Sequence, residues 1–202
     1  MNKGEATRER IVDEAVRLAS RDGLDGVSLG SLAAEIGMSK SGLYAHFGSK
    51  EELQLQVLQG AVGRFRALVI KPALLAKRGV PRLRLLFENW IEWANDASMP
   101  GGCLLIAASV ELDDKPGPLR DFLVRAQRDW LATLARAAQL AVEERQLRAD
   151  LDTQQFAFET WALALGYHHV RRLLRDPRAS ARVHDAFERL LADARRGAGG
   201  EA

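Results

Sequence analysis

The stretch SLGSLAAEIGMSKSGLYAHFGSKEEL, Ser28 to Leu53, contains two short helical patterns that meet at a tight turn. Leu29, Leu32, Ala33 and Ile36 recur at the spacing of one helix face, and Gly37 supplies the left-handed residue that ends it. Ser39 then opens a second helix as its N-cap. Counted from there, Leu43 and Phe47 fall four apart, facing the first helix, and Lys40, Ser41, Gly42, Tyr44 and His46 are left on the outer side. A slim helix with small, polar and basic outer residues, braced by a partner helix, has the shape that enters a DNA major groove. Ser28 caps the first helix, where its backbone and hydroxyl can also meet a phosphate.

From Ile36 to Lys50 there is no acidic residue, whereas Lys40, His46 and Lys50 are all candidate phosphate neighbours, so the local field is positive. Its surroundings do not share that charge. Residues 1–50 hold seven Lys and Arg against seven Asp and Glu, seven minus seven giving zero, and the whole chain carries +2. With no general basic footprint, the case for DNA rests on the geometry of residues 28–47 and their local charge. An ordinary helical hairpin that binds nothing is the competing reading.

These residues resemble the tetracycline-repressor (TetR) family of bacterial regulators. The likeness lies in a first helix ending in Gly, then Val27-Ser28-Leu29, Leu32-Ala33, Ile36-Gly37-Met38-Ser39, Gly42-Leu43-Tyr44, His46-Phe47 and Lys50-Glu51-Glu52-Leu53. It covers roughly the first third of the chain, and many spaced matches together are specific where one alone is weak. The resemblance implies that the second short helix is the recognition helix, that Tyr44 and Lys50 touch phosphate, and that the later helices bind a ligand and dimerise. One departure is Gly42, where the family often carries Thr or another side chain, which removes one base contact.

The chain's 202 residues suffice for two helical domains, each with a core. Hydrophobic residues make 47% and aromatics 6%, without sustained β-branched alternation, so an all-α class is expected. The expected division is a helix-turn-helix DNA-binding domain over residues 4–64, with its motif at 28–47, and a helical ligand-binding and dimerisation domain over 65–202, about nine helices in all. The charged start MNKGEATRERIVDE has no signal-peptide run and no stretch offers 18 apolar residues, which predicts a cytoplasmic protein that becomes nucleoid-associated on DNA and has no membrane contact. Cys103, the single cysteine, excludes an intrachain disulfide and any metal site built on cysteines.

Helix one is expected from about Glu5 to Arg21, stopped by Gly23. Ser49-Lys50-Glu51-Glu52 is a capping-box pattern that starts a helix running to near Ile70, where Pro72 ends or kinks it. That helix is expected to be the only covalent lever between a bound ligand and the reading head. Pro81 opens an amphipathic helix through Trp90 and Ala94, and Cys103 to Leu112 is apolar nearly all round, which places it inside the bundle. A long helix from about Leu119 to Leu147 follows, then one from Gln154 to Arg175 whose apolar residues point every way and so require a second buried face. That face and the last helix are expected to form a four-helix homodimer bundle, which would space two heads about 34–36 Å apart on a palindromic operator. The tail RRGAGGEA reads as disordered.

Phe87, Trp90, Trp93, Phe122, Trp130, Trp161 and Tyr167 are many large rings for one bundle. They either fill the core or, with Cys103, line an apolar pocket for a small-molecule inducer. Cys103 itself reads as a redox-sensing thiol or as a small buried apolar residue. His168 and His169, adjacent on a helix, point about 100° apart and cannot clamp one metal. The sequence has no Walker loop, GxGxxG, HExxH or Ser-His-Asp order, so no enzyme activity and no cofactor are expected. The expected function is a DNA-binding transcriptional regulator, a repressor released by a small apolar or aromatic ligand. The alternative is a helical small-molecule-binding or protein-interaction module without ligand regulation.

Overall fold

The computed structural model describes residues 3–195, and among them it is all-helical, with no strand. The helices are α1 (Lys3–Asp22), α2 (Leu29–Ile36), α3 (Lys40–Phe47), α4 (Lys50–Phe65), α5 (Lys71–Leu75), α6 (Val80–Ala94), α7 (Leu104–Leu112), α8 (Pro118–Glu143), α9 (Thr153–Arg172) and α10 (Ala179–Arg195). A π-helical turn, Arg66–Ile70, joins α4 to α5, so those two and the turn occupy the place of one expected helix. Pro72 explains the turn. It cannot donate to the carbonyl four residues back, and widening the coil by one residue takes its ring off that carbonyl and lets the helix continue to Leu75. Apart from its first residue, Arg195, the expected disordered tail lies outside the described residues.

The residues sort into two compact units. One comprises the chain up to Arg66 together with Ala94–Ala126, and the other Ala67–Trp93 together with the chain from Gln127 on. The backbone therefore passes between units three times, at 66/67, 93/94 and 126/127, and α4 is not the sole covalent link that the sequence suggested.

In the first unit α1 packs against α2, α4 and α7, burying Ile11, Ala15, Leu18 and Ala19. Helix α7 also lies on α4. It buries Leu104, Leu105, Ile106, Ala108 and Leu112 but leaves Val110 73% exposed, so its apolar circumference is not fully enclosed as expected. The loop before α7 approaches α1 very closely: a Cβ on Gly101 would lie 1.3 Å from the Ser20 carbonyl oxygen, a backbone contact that no side chain could accommodate. The Ser20 hydroxyl locks this crossing, accepting the Gly101 N–H at 3.0 Å and donating to the Gly102 carbonyl at 3.0 Å.

In the second unit α9 and α10 pack along one another. Phe87 of α6 stacks on Phe187 of α10 at 4.0 Å between centroids and 7° between planes, a pair worth about 0.5–1.5 kcal/mol beyond burial alone. No helix among the described residues is long and apolar enough to cross a membrane.

Candidate nucleic-acid interface and ligand-binding residues

Three serine caps and one left-handed glycine build the reading unit from its own sequence. Ser28 accepts the Ser31 N–H, and Ser31 reaches back to the Ser28 N–H at 3.0 Å, a reciprocal box that fixes the start of α2. Gly37, at φ 67°, ends α2 in the left-handed conformation and returns its N–H to Ala33. Ser39 accepts the Gly42 N–H at 3.0 Å and Ser49 the Glu52 N–H at 3.1 Å, starting α3 and α4. Leu43 and Phe47 are buried beneath α3, at 0% and 3% exposure. The local pattern was sufficient for the three caps and the turn, but the reciprocal box forms at Ser28 and Ser31, whereas Ser49, where a box was expected, caps one way.

The outer face of α3 carries Lys40, Ser41 and Tyr44, all exposed, with Tyr44 at 58%. Ala45 is exposed beside them. Sequence reading passed over it for want of a polar group, yet an exposed methyl on a groove-facing helix can pack on a thymine methyl. Ser39 is exposed, but its hydroxyl is engaged by the Gly42 N–H and shared with Ser41 at 3.2 Å. Ser28 is half-buried, its hydroxyl and N–H both committed to the box, so a phosphate there would meet the end of α2 rather than a free hydroxyl. His46 is half-buried against Phe47, ring centroids 6.2 Å apart, turned away from the most exposed strip of α3. A Cβ on Gly42 would meet the Ser39 oxygen at 3.1 Å, so the missing side chain leaves room for the cap.

Lys50 is exposed and its ammonium donates to the Asp25 carbonyl at 2.8 Å. This bond belongs to a cluster that sequence reading missed. In the loop between α1 and α2, the Leu24 and Asp25 N–H groups both donate to the Glu111 carboxylate of α7, at 2.9 and 2.8 Å. Gln54, buried on α4, donates to the Leu24 carbonyl at 2.9 Å. Lys115 pairs with the Asp25 carboxylate at 2.7 Å, and its hydrogen bond, reinforced by its charge, holds that carboxyl below its ordinary value despite some desolvation. All four backbone polar groups of Leu24 and Asp25 are thus met by side chains from α4 and α7. Glu111 lies 87 residues from Leu24, so no local signal could have revealed the contact.

Of the residues considered for a ligand, Cys103 and Phe122 belong to the first unit, and Phe87, Trp90, Trp93, Trp130, Trp161 and Tyr167 to the second. Cys103 is reduced, 1% exposed, and stands at the N-cap of α7. Phe122 is half-buried. In the second unit Trp90 meets Trp161 and Tyr167 edge-on at 6.0 and 6.1 Å, and Trp130 meets Trp161 at 6.5 Å. These rings pack on one another, as a core does. The Trp90 indole N–H is buried without a hydrogen-bond acceptor, and so is Nε2 of His168, whose burial, with Arg172 and His169 nearby, lowers its proton affinity. His169 is exposed, and no group of three metal-ligating side chains occurs among the described residues.

Family models match both parts of the chain: bacterial regulatory proteins of the tetR family over residues 11–57, and the tetracyclin repressor-like C-terminal domain over 79–187, more than half its length. The chain belongs to the TetR family. Within it, the HTH-type transcriptional repressor DhaR of Mycobacterium sp. (strain GP1) is 26% identical over 144 residues, 71% of each protein. The uncharacterised HTH-type regulator YerO of Bacillus subtilis is 36% identical over 56 residues, 28% of this chain and only 19% of YerO. A TetR regulator from Chloroflexus aurantiacus superposes with a TM-score of 0.84 at 26% identity, covering 95% of this chain and 96% of that one. AibR, solved with isovaleryl coenzyme A and operator DNA, gives 0.71 at 21% identity over 93% of this chain and 98% of its own, a likeness of fold.

Proposed function

We propose that this TetR regulator binds a palindromic operator in double-stranded DNA as a homodimer, represses transcription there, and is released by a small molecule. The observation that carries the reading is the exposed strip Lys40, Ser41, Tyr44 and Ala45 on a capped helix, in a stretch free of acids from Ile36 to Lys50. Lys50 and Tyr44 hold phosphates, while Lys40, Ser41 and Ala45 face base edges. Residues 4–64 act as the DNA-binding part, and 65–202 bind the effector and dimerise. DhaR, named a repressor, and AibR, solved with operator DNA, are relatives or neighbours consistent with this. A regulator of this kind would act in the cytoplasm, at the nucleoid when bound to DNA, and would need no catalytic role.

Support for the homodimer comes from α9, where Phe158, Ala162, Leu165 and His169 form an exposed stripe at helical spacing, with Phe158 63% exposed, and Leu173 beyond it at 70%. An apolar or aromatic effector is proposed beside Trp90, whose buried indole N–H lacks the acceptor that an effector oxygen would supply. Fluorescence anisotropy of duplexes tiling the chain's own upstream DNA tests the reading. Saturable binding of one duplex, competed only by itself, is expected; equal affinity for every duplex would leave the alternative, a helical binding module without regulation.

A further inference from the structure

In the second unit, the end of α5, the start of α6 and the middle of α8 enclose a groove of about 440 Å³, within the usual range for small-molecule sites. Its floor is apolar, with Ile70, Leu86 and Leu140, and its polar lining includes Arg82, Thr133 and Arg136. Arg82 is the unusual member. Its Nη2 donates to the carbonyls of Leu74 and Ala76 at 3.0 and 2.9 Å, which closes the end of α5, while its Nε is buried with no hydrogen-bond partner. Among the described residues no carboxylate pairs with it. A half-buried guanidinium without a counter-ion is a costly arrangement that a carboxylate or phosphate in the groove relieves.

The remaining charges narrow the ligand. Arg136 pairs with Glu143 at 3.0 Å, but both side chains are exposed, so the pair exchanges readily with another anion. Asp129 also lines the groove, seven residues before Arg136 on α8 and so about 10 Å from it along the axis. The two arginines are the seat for an anionic head.

We propose that this groove binds a medium-chain amphiphile with an anionic head, the head taken by Arg82 and Arg136 and the chain laid on Ile70, Leu86 and Leu140. The site is distinct from the ring cluster of Trp90, Trp130, Trp161 and Tyr167, none of which lines it. Binding here needs no DNA contact and is tested without DNA.

The experiment is isothermal titration calorimetry of the full chain with decanoate, 1-decanol and decyltrimethylammonium, which share a chain and differ in head. Decanoate is expected to bind one per chain, about tenfold or more tighter than decanol, the contrast one charge-assisted hydrogen bond supplies. The cation should not bind. Arg82→Gln should weaken decanoate about tenfold. Because Arg82 also closes α5, the decision rests on Thr133→Trp, which fills the groove from a half-exposed position and should abolish binding, and on Arg136→Gln, which should weaken it. Decanol binding as tightly as decanoate, decanoate binding unaltered in Thr133→Trp, or no decanoate heat at millimolar concentration would each overturn the proposal.

Discussion

The Lys50 ammonium donates to the carbonyl oxygen of Asp25 at 2.8 Å, tying the first residue of α4 to the loop that leads into α2. An ammonium has three donors, so this bond leaves others for a phosphate and at the same time aims them. Lys50→Ala should therefore weaken binding to specific and random duplexes by the same factor and flatten the dependence of log affinity on log salt by about one unit. Anisotropy titrations over a salt series decide it. An unchanged slope removes Lys50 from the phosphate contacts.

Glu111 presents both carboxylate oxygens to adjacent backbone N–H groups, and their removal leaves the N–H of buried Leu24 without its partner and that of exposed Asp25 to water. Glu111→Ala should cost about 1.5–3 kcal/mol, the range for hydrogen bonds to a charged group. It should also speed amide exchange at Leu24 and Asp25 more than at Leu43, buried under α3. Operator affinity should fall even though Glu111 lies outside the motif. Exchange measured by NMR provides the check; unaltered protection at both amides would mean the clamp does not hold in solution.

The contrast between these two contacts shows what a sequence displays. Ser28, Ser39 and Ser49 cap backbone groups three residues away, and Gly37 acts on its own helix, so the caps and the turn of the reading unit were legible from spacing, while the half-burial of His46 was not. The inner stripes of the amphipathic helices were legible too, since Phe87 and Phe187 each stand on one, whereas the grouping of Ala94–Ala126 with the N-terminal part was not. What stayed hidden depends on distant partners or on backbone adjustment. Glu111 looks like any helix-end acid until α7 lies on α1 and α4. The π-helical turn before Pro72 is one of several ways to relieve the same clash. Arg82 reads as a surface charge in the first turn of α6, and only the fold brings it to a groove.

His184 of α10 bonds through Nε2 to Glu88 at 2.9 Å and through Nδ1 to the Ser180 carbonyl at 2.6 Å. Desolvation works against its charge, but these two partners outweigh it, and its proton affinity is raised above the ordinary histidine value. A raised value in the folded state means stability that is full below about pH 6.5 and is lost as pH rises through the folded value. His168, lowered chiefly by burial, acts in the opposite sense and loses stability on acidification. His184→Asn should therefore lower the melting temperature more at pH 5.5 than at pH 8.5. Equal losses at both pH values would dismiss the His184 contribution.

Assembly and folding draw on different apolar residues of α9 and α10. Phe158 and Leu173 are exposed, at 63% and 70%, and nothing in the chain's own core needs them, whereas Phe187 is 2% exposed and stacked on Phe87. A charge at Phe187 must unfold the second unit, which says nothing about a partner. Phe158→Glu and Leu173→Glu instead meet water in the isolated chain and meet apolar surface only if a second copy covers α9. Both should keep the helical circular-dichroism signal and sediment as monomers at micromolar concentration where the wild type sediments as a dimer. Operator affinity should then drop steeply, because two heads bound through one assembly gain the effective concentration that separate heads lack. If both variants sediment as the wild type does, the stripe on α9 is not the dimer surface, and a wild type that is itself monomeric removes the homodimer altogether.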